Sequence, residues 1–161
     1  MKKMLLVVSL LAVLLTACSD GIPEKIKDKA GSITEITQVK PSYVVELYDS
    51  KASFIYYYGS SVCGACLFMK DINSEVVRRT GVPMYFIEID KTSKDQMKLL
   101  TPYLTLPGST PTYVIVLNGV VKETFTPEVL VGDDTGFVNE HINLYTVHFI
   151  ALLREKGLLI D

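Results

Sequence analysis

Tryptophan is absent from this chain, histidine occurs only twice and cysteine three times. The two imidazoles, His141 and His148, stand too far apart in sequence for a local ligand pair, and a tetrahedral zinc site needs about four ligands. No metal is therefore assigned to the chain. Excess positive charge is also missing. A net charge of -2 and a pI near 5.7 leave no broad basic surface to release counterions from phosphates, which excludes nucleic acid as a partner. Ser60 and Ser61 have no histidine and aspartate arrangement to activate them, so serine hydrolysis is unsupported. There is no internal repeat and no low-complexity stretch. Long hydrophobic runs are scarce too: the run from Met4 to Leu15 falls short of the about 20 residues that a membrane span requires.

What is present fits one domain. The chain has 161 residues, 48% of them apolar, enough for one buried core and not for two. Lys2 and Lys3, the apolar run behind them and Thr16-Ala17 have the plan of a signal peptide over residues 1–17. Leu15-Thr16-Ala17-Cys18 resembles the lipobox of bacterial lipoproteins, whose cysteine is diacylated on sulfur and begins the mature protein. That resemblance implies lipidation of Cys18 and a stable anchor at the extracytoplasmic face of the cell membrane, since two acyl chains hold where one is marginal. Residues 18–31, polar and broken by Gly21, Pro23 and Gly31, read as a tether. The globular domain is expected over 32–161.

Within that domain, Ile33 to Val39 alternates like a half-buried strand, and Ser42 to Tyr48 has helical spacing. Phe54-Ile55-Tyr56-Tyr57-Tyr58, closed by Gly59, reads as a central strand covered on both faces; packing accounts for its tyrosines without a binding role. Cys63 to Arg79 is an expected amphipathic helix with Leu67, Ile72, Val76 and Val77 inward, stopped by Gly81 and Pro83. Met84 to Asp90 is a further strand, and Ser93 to Tyr103 a helix interrupted by Pro102. Lys91, Lys94 and Lys98 form its solvated face. Thr112 to Leu117 and Val120 to Phe125 flank Asn118-Gly119, the dipeptide that suits a tight hairpin turn. A last helix carries the stripe Phe137, Ile142, Tyr145, Phe149 and Leu152, ending at Gly157. This order mixes parallel crossovers with an antiparallel hairpin, so the fold class is α/β, a central mixed sheet flanked by helices.

Cys63 and Cys66, spaced Cys-Gly-Ala-Cys, stand where a helix should start. Unsatisfied amides and the helix dipole favour an anion there. Cys63 is the expected attacking thiolate, and Cys66, one turn deeper, the thiol that resolves the mixed disulfide. Cys-X-X-Cys also occurs in metal sites and structural disulfides. A structural bond across so small a loop would remove little entropy from the unfolded chain.

With this pair in place, the chain resembles the thioredoxin superfamily over Ile33 to Leu153. The likeness is strongest from Phe54 to Cys66 and at Ser109-Thr110-Pro111-Thr112, followed by Tyr113 to Gly119. The resemblance implies a thioredoxin-like fold, a cis Pro111 beside the cysteines, and pairing of an extended substrate segment with the Thr110 backbone; a trans Pro111 starting the strand is the alternative. It departs from thioredoxins proper in having Val62 where a tryptophan precedes the first cysteine. Tyr57 replaces a buried acid on the preceding strand, which casts doubt on efficient reduction of substrates. Thr110 is similar to the residue of exported disulfide isomerases, and the small exported design resembles accessory proteins of bacteriocin export.

Taken together these features imply an envelope thiol-disulfide oxidoreductase acting on cysteine-containing exported proteins or peptides. It would use no cofactor and would be recycled by an unidentified membrane redox partner, with the direction of exchange open. The rival readings are a redox-silent module that holds an exported peptide such as a bacteriocin, and metal delivery through the thiols.

Overall fold

The computed structural model describes residues 35–106, 108–128 and 138–159. The expected signal peptide, Cys18, the tether and the start of the domain at residue 32 lie outside them. Five strands form one mixed sheet in the order β1-β3-β2-β4-β5. The first, β1 (Thr37–Gln38), and β3 (Met84–Glu88) run parallel to β2 (Phe54–Gly59), while β4 (Thr112–Leu117) and β5 (Val120–Phe125) complete the sheet antiparallel. This is the expected α/β class.

β2 is a strand because its branched and aromatic side chains fit a pleated surface covered on both sides. Alternation sends Phe54, Tyr56 and Tyr58 to one layer and Ile55 and Tyr57 to the other. The first layer packs under α1 (Pro41–Asp49), through Val44, Leu47 and Tyr48. The second lies under α2 (Gly64–Thr80) and α4 (Val138–Glu155), through Met69, Ile72, Val76, Phe149 and Leu153. Each apolar side chain of this size contributes about 1.5–3 kcal/mol on full burial. Tyr48 and Tyr56 share a hydroxyl hydrogen bond of 3.0 Å, which relieves the cost of burying them.

Several elements differ from expectation. β1 is two residues long, both exposed. Leu67, expected inward on α2, is 56% exposed, and Cys66, Met69 and Asn73 take the buried stripe with Ile72, Val76 and Val77. The third strand stops at Glu88 and turns through a 3-10 segment, Ile89–Lys91. The helix expected to reach Tyr103 is only α3 (Lys94–Lys98), opened by a capping box between Ser93 and Gln96. Beyond it the amides of Leu99, Leu100, Thr101 and Tyr103 bond three residues back. The backbone tightens there, and Pro102 has no N-H with which to continue a helix. Phe137 lies outside the described residues, and no described helix is long and apolar enough to cross a membrane.

The hairpin follows its sequence signal. Asn118 and Gly119 have φ of 53° and 73°, the paired positive angles of a two-residue turn matched to strand twist. The Gly119 amide donates to the Ala52 carbonyl at 2.9 Å, and a Cβ at Gly119 would lie 2.8 Å from the Tyr48 carbonyl oxygen. Gly119→Ala should therefore destabilise the domain by about 2 kcal/mol or more, as strained backbone and a steric conflict combine. Urea unfolding of the two proteins checks this; an unchanged midpoint would contradict the close approach.

Candidate redox site at Cys63 and Cys66

β2 delivers the chain to its C-terminal edge at Gly59, where Phe86, Tyr57 and the Cys66 sulfur leave no space for a side chain. A Cβ there would lie 2.8 Å from the Phe86 ring and 3.5 Å from Cys66 Sγ. The next residues are tied down by backbone and carboxylates. Cys63 N-H donates to the Ser60 carbonyl at 3.2 Å, and Val62 N-H to Ser60 Oγ at 3.2 Å. Ser60 Oγ donates in turn to Asp90. The Ser61 N-H donates to Glu88 Oε1 at 3.0 Å.

Cys63 then caps α2. Its backbone is extended, and its sulfur accepts the Cys66 amide at 3.3 Å. A hydroxyl or carboxylate oxygen usually takes this place at a helix start; here a sulfur sits where orphan amides and the dipole favour an anion. On its other side Cys63 Sγ meets the Thr110 carbonyl oxygen at 3.6 Å. The Thr110–Pro111 peptide is cis, and the loop behind it is held by Thr112 Oγ1 donating to the Ser109 carbonyl at 2.8 Å. Of the five residues that sequence singled out, the structure thus brings together Cys63, Cys66, Thr110 and Pro111, and Cys18 lies outside the described residues.

The two thiols are unequal. Partial burial of Cys63 works against its anion, but hydrogen bonds from Cys66 and Thr110 and from the Cys66 and Ala65 amides outweigh it, and its pKa falls below that of an ordinary cysteine. For Cys66 burial comes first and Cys63 adds to it, so that thiol is pushed up. Cys63 is half-buried and Cys66 7% exposed. Val62, 85% exposed, and Leu67 flank the pair with apolar surface.

His148 is exposed and His141 half-buried, both on α4; the described residues hold no group of three or more histidine, cysteine or acidic side chains poised for a metal. Tyr57 does occupy the strand position expected of an acid. A buried carboxylate is nonetheless present next door, as Glu88 is the register partner of Gly59 and 3% exposed. Sequence reading passed over Glu88 and Asp90 because they closed an apolar strand run. The available signal was topological: parallel neighbours end at the same sheet edge, so acids finishing β3 fall beside the loop that leaves β2.

No family model and no curated protein matches the chain in sequence. Solved structures do resemble it. Thioredoxin O2 of Arabidopsis thaliana, in the oxidized state, superposes with a TM-score of 0.51 at 16% identity, covering 76% of this chain and 94% of its own. Thioredoxin F of spinach chloroplast gives 0.50 at 14% identity, covering 74% and 93%. The domain has the thioredoxin fold.

The opposed shifts predict an order of reactivity. A depressed pKa means more thiolate at lower pH, so iodoacetamide should alkylate Cys63 with a midpoint below the about 8.5 of free cysteine, and Cys66 with one above it. Peptide mass spectrometry over a pH series checks the order; equal midpoints would refute the asymmetry.

Proposed function

We propose that this protein is a thiol-disulfide oxidoreductase of the bacterial envelope, tethered through lipid on Cys18 and acting on cysteine-containing exported proteins. The carrying observation is the Cys63 sulfur accepting the Cys66 amide at a helix start while facing the Thr110 carbonyl. In the reducing direction the Cys63 thiolate attacks a substrate disulfide, bonds to one sulfur and expels the other as a thiolate. Cys66 then attacks the Cys63 sulfur, closes the Cys63–Cys66 disulfide and releases the second substrate thiol. Two electrons pass from the pair to the substrate, and the oxidising direction runs the same steps in reverse. Thr110 and Pro111 form the wall against which an extended substrate segment lies, with Val62 and Leu67 as apolar rim. A membrane partner restores the pair after each turnover.

The reduction potential decides the direction. Glutathione-buffered titration of the two cysteines near -270 mV would mark a reductase, and near -120 mV an oxidase. Cys63→Ser should abolish exchange down to the uncatalysed level, whereas Cys66→Ala should accumulate mixed disulfides visible as higher-mass species on non-reducing gels. Full function of Cys63→Ser in cells would replace this reading with a redox-silent module for an exported peptide. Cys18→Ser should move the protein from the membrane to the soluble fraction; retention at the membrane would contradict the lipid anchor.

A further inference from the structure

β2 divides the surroundings of the cysteine pair in two. β4 lies on one side of it, β3 and β1 on the other, and Cys63 faces the β4 side, where its sulfur meets the Thr110 carbonyl. Cys66 borders the β3 side. Its sulfur is 3.5 Å from a Cβ position at Gly59, and the Tyr57 and Phe86 rings border that same position. These rings, on adjacent strands, stack with centroids 4.9 Å apart. Together with Cys66 they line a cleft of about 300 Å³ that reaches the surface between β1 and α2. Cys63, Thr110 and Pro111 do not line it, so the cleft is separate from the groove assigned to an extended substrate.

The lining fixes what can enter. The two stacked rings give a flat apolar wall, and Leu67, 56% exposed, continues it at the mouth. Lys70 is the one charged residue of the lining, exposed and without an ion pair to a described residue. A volume at the lower end of the about 300–1,000 Å³ of ligand sites takes a small flat body with one anionic group. Lys70 stands one helical turn from Cys66, so such a molecule has its acid at the mouth when its far end is at the sulfur. The pair itself favours attack there. In a Cys63–Cys66 disulfide the sulfur that is not attacked leaves as thiolate, and the thiol of lower pKa leaves faster. Partial burial opposes the Cys63 anion but hydrogen bonds outweigh it, whereas burial and then Cys63 push the Cys66 thiol up. Attack at Cys66 therefore expels the better leaving group.

We propose that the cleft is a second entrance to the redox site, through which a small thiol carrying a carboxylate and a flat apolar body reduces the Cys63–Cys66 disulfide by attack at Cys66. This rests on the reading of Cys63 and Cys66 as an exchange pair. In the first step the small thiolate bonds to the Cys66 sulfur, the Cys63–Cys66 bond breaks and Cys63 leaves as thiolate. A second small thiolate then attacks the first one's sulfur, forms the small-molecule disulfide and expels Cys66. Two electrons pass from the two small thiols to the pair, and their two protons reach it through water.

The probes are para-mercaptomethylbenzoate and the amide of the same acid, which share one body and one nucleophile and differ in charge. The oxidised full-length protein is mixed with each and quenched early with iodoacetamide, and the peptide holding both cysteines is sequenced by mass spectrometry. The benzoate should be found on Cys66 with the cap on Cys63. It should also reduce the protein about threefold faster than the amide does, the increment of an exposed ion pair. Lys70→Gln should bring the benzoate down to the rate of the amide. Benzoate on Cys63 with the cap on Cys66, equal rates for acid and amide, or an advantage that survives Lys70→Gln would overturn the second entrance while leaving the exchange pair intact. A protein whose two cysteines form no disulfide on oxidation would refute the exchange pair itself.

Discussion

The paired edges of β2 are the constraint on which the site depends. One edge is hydrogen-bonded to β3 and the other to β4, and both faces are buried, so the strand end cannot shift without breaking backbone bonds in a dry interior. Cys63 emerges a few residues beyond that end. The β4 edge sets where Thr110 lies, and the β3 edge sets where Glu88 lies. One strand thereby positions the Cys63 sulfur, the Thr110 carbonyl beside it and the carboxylate that bonds the Ser61 amide in a single frame.

Between strand and helix the chain has few residues in which to reverse direction, and their polar groups are almost fully used. Ser60 serves three of these contacts, through its carbonyl to Cys63, and its hydroxyl to Val62 and Asp90. Two acids, Glu88 at the end of β3 and Asp90 just past it, thus hold the loop from outside the helix, while the helix amides hold the sulfur from within. The arrangement leaves Cys63 half-buried among hydrogen-bond partners and Cys66 sheltered, so hydrogen bonds lower the one thiol while burial raises the other.

Most of this was readable from the chain where local signals are strong. The apolar run from Phe54 to Tyr58, the Asn118-Gly119 turn and the Gly81 stop each carry their own physical cause, and the structure follows them. The cysteine pair was readable because chemistry restricts what its spacing can do. The failures have causes of another kind. Leu67 was placed inward by counting period, but the helix is anchored by Cys66, whose depth follows from where β2 ends. Glu88 was read as one more residue of a strand reaching Asp90, because its bond to the Ser61 amide depends on a register with Gly59 that only the folded sheet establishes. The length of α3 was overestimated because leucines and a tyrosine continue its pattern after the backbone has tightened ahead of Pro102.

The contact between Cys63 sulfur and the Thr110 carbonyl spans 47 residues of sequence. A chain made from its N-terminus has both cysteines available before the strand that follows Thr110 exists. Only pairing of β4 with β2 brings the Thr110 carbonyl to the Cys63 sulfur. The environment of the Cys63 sulfur is therefore a property of the closed sheet, set half by its own helix and half by a strand far along the chain.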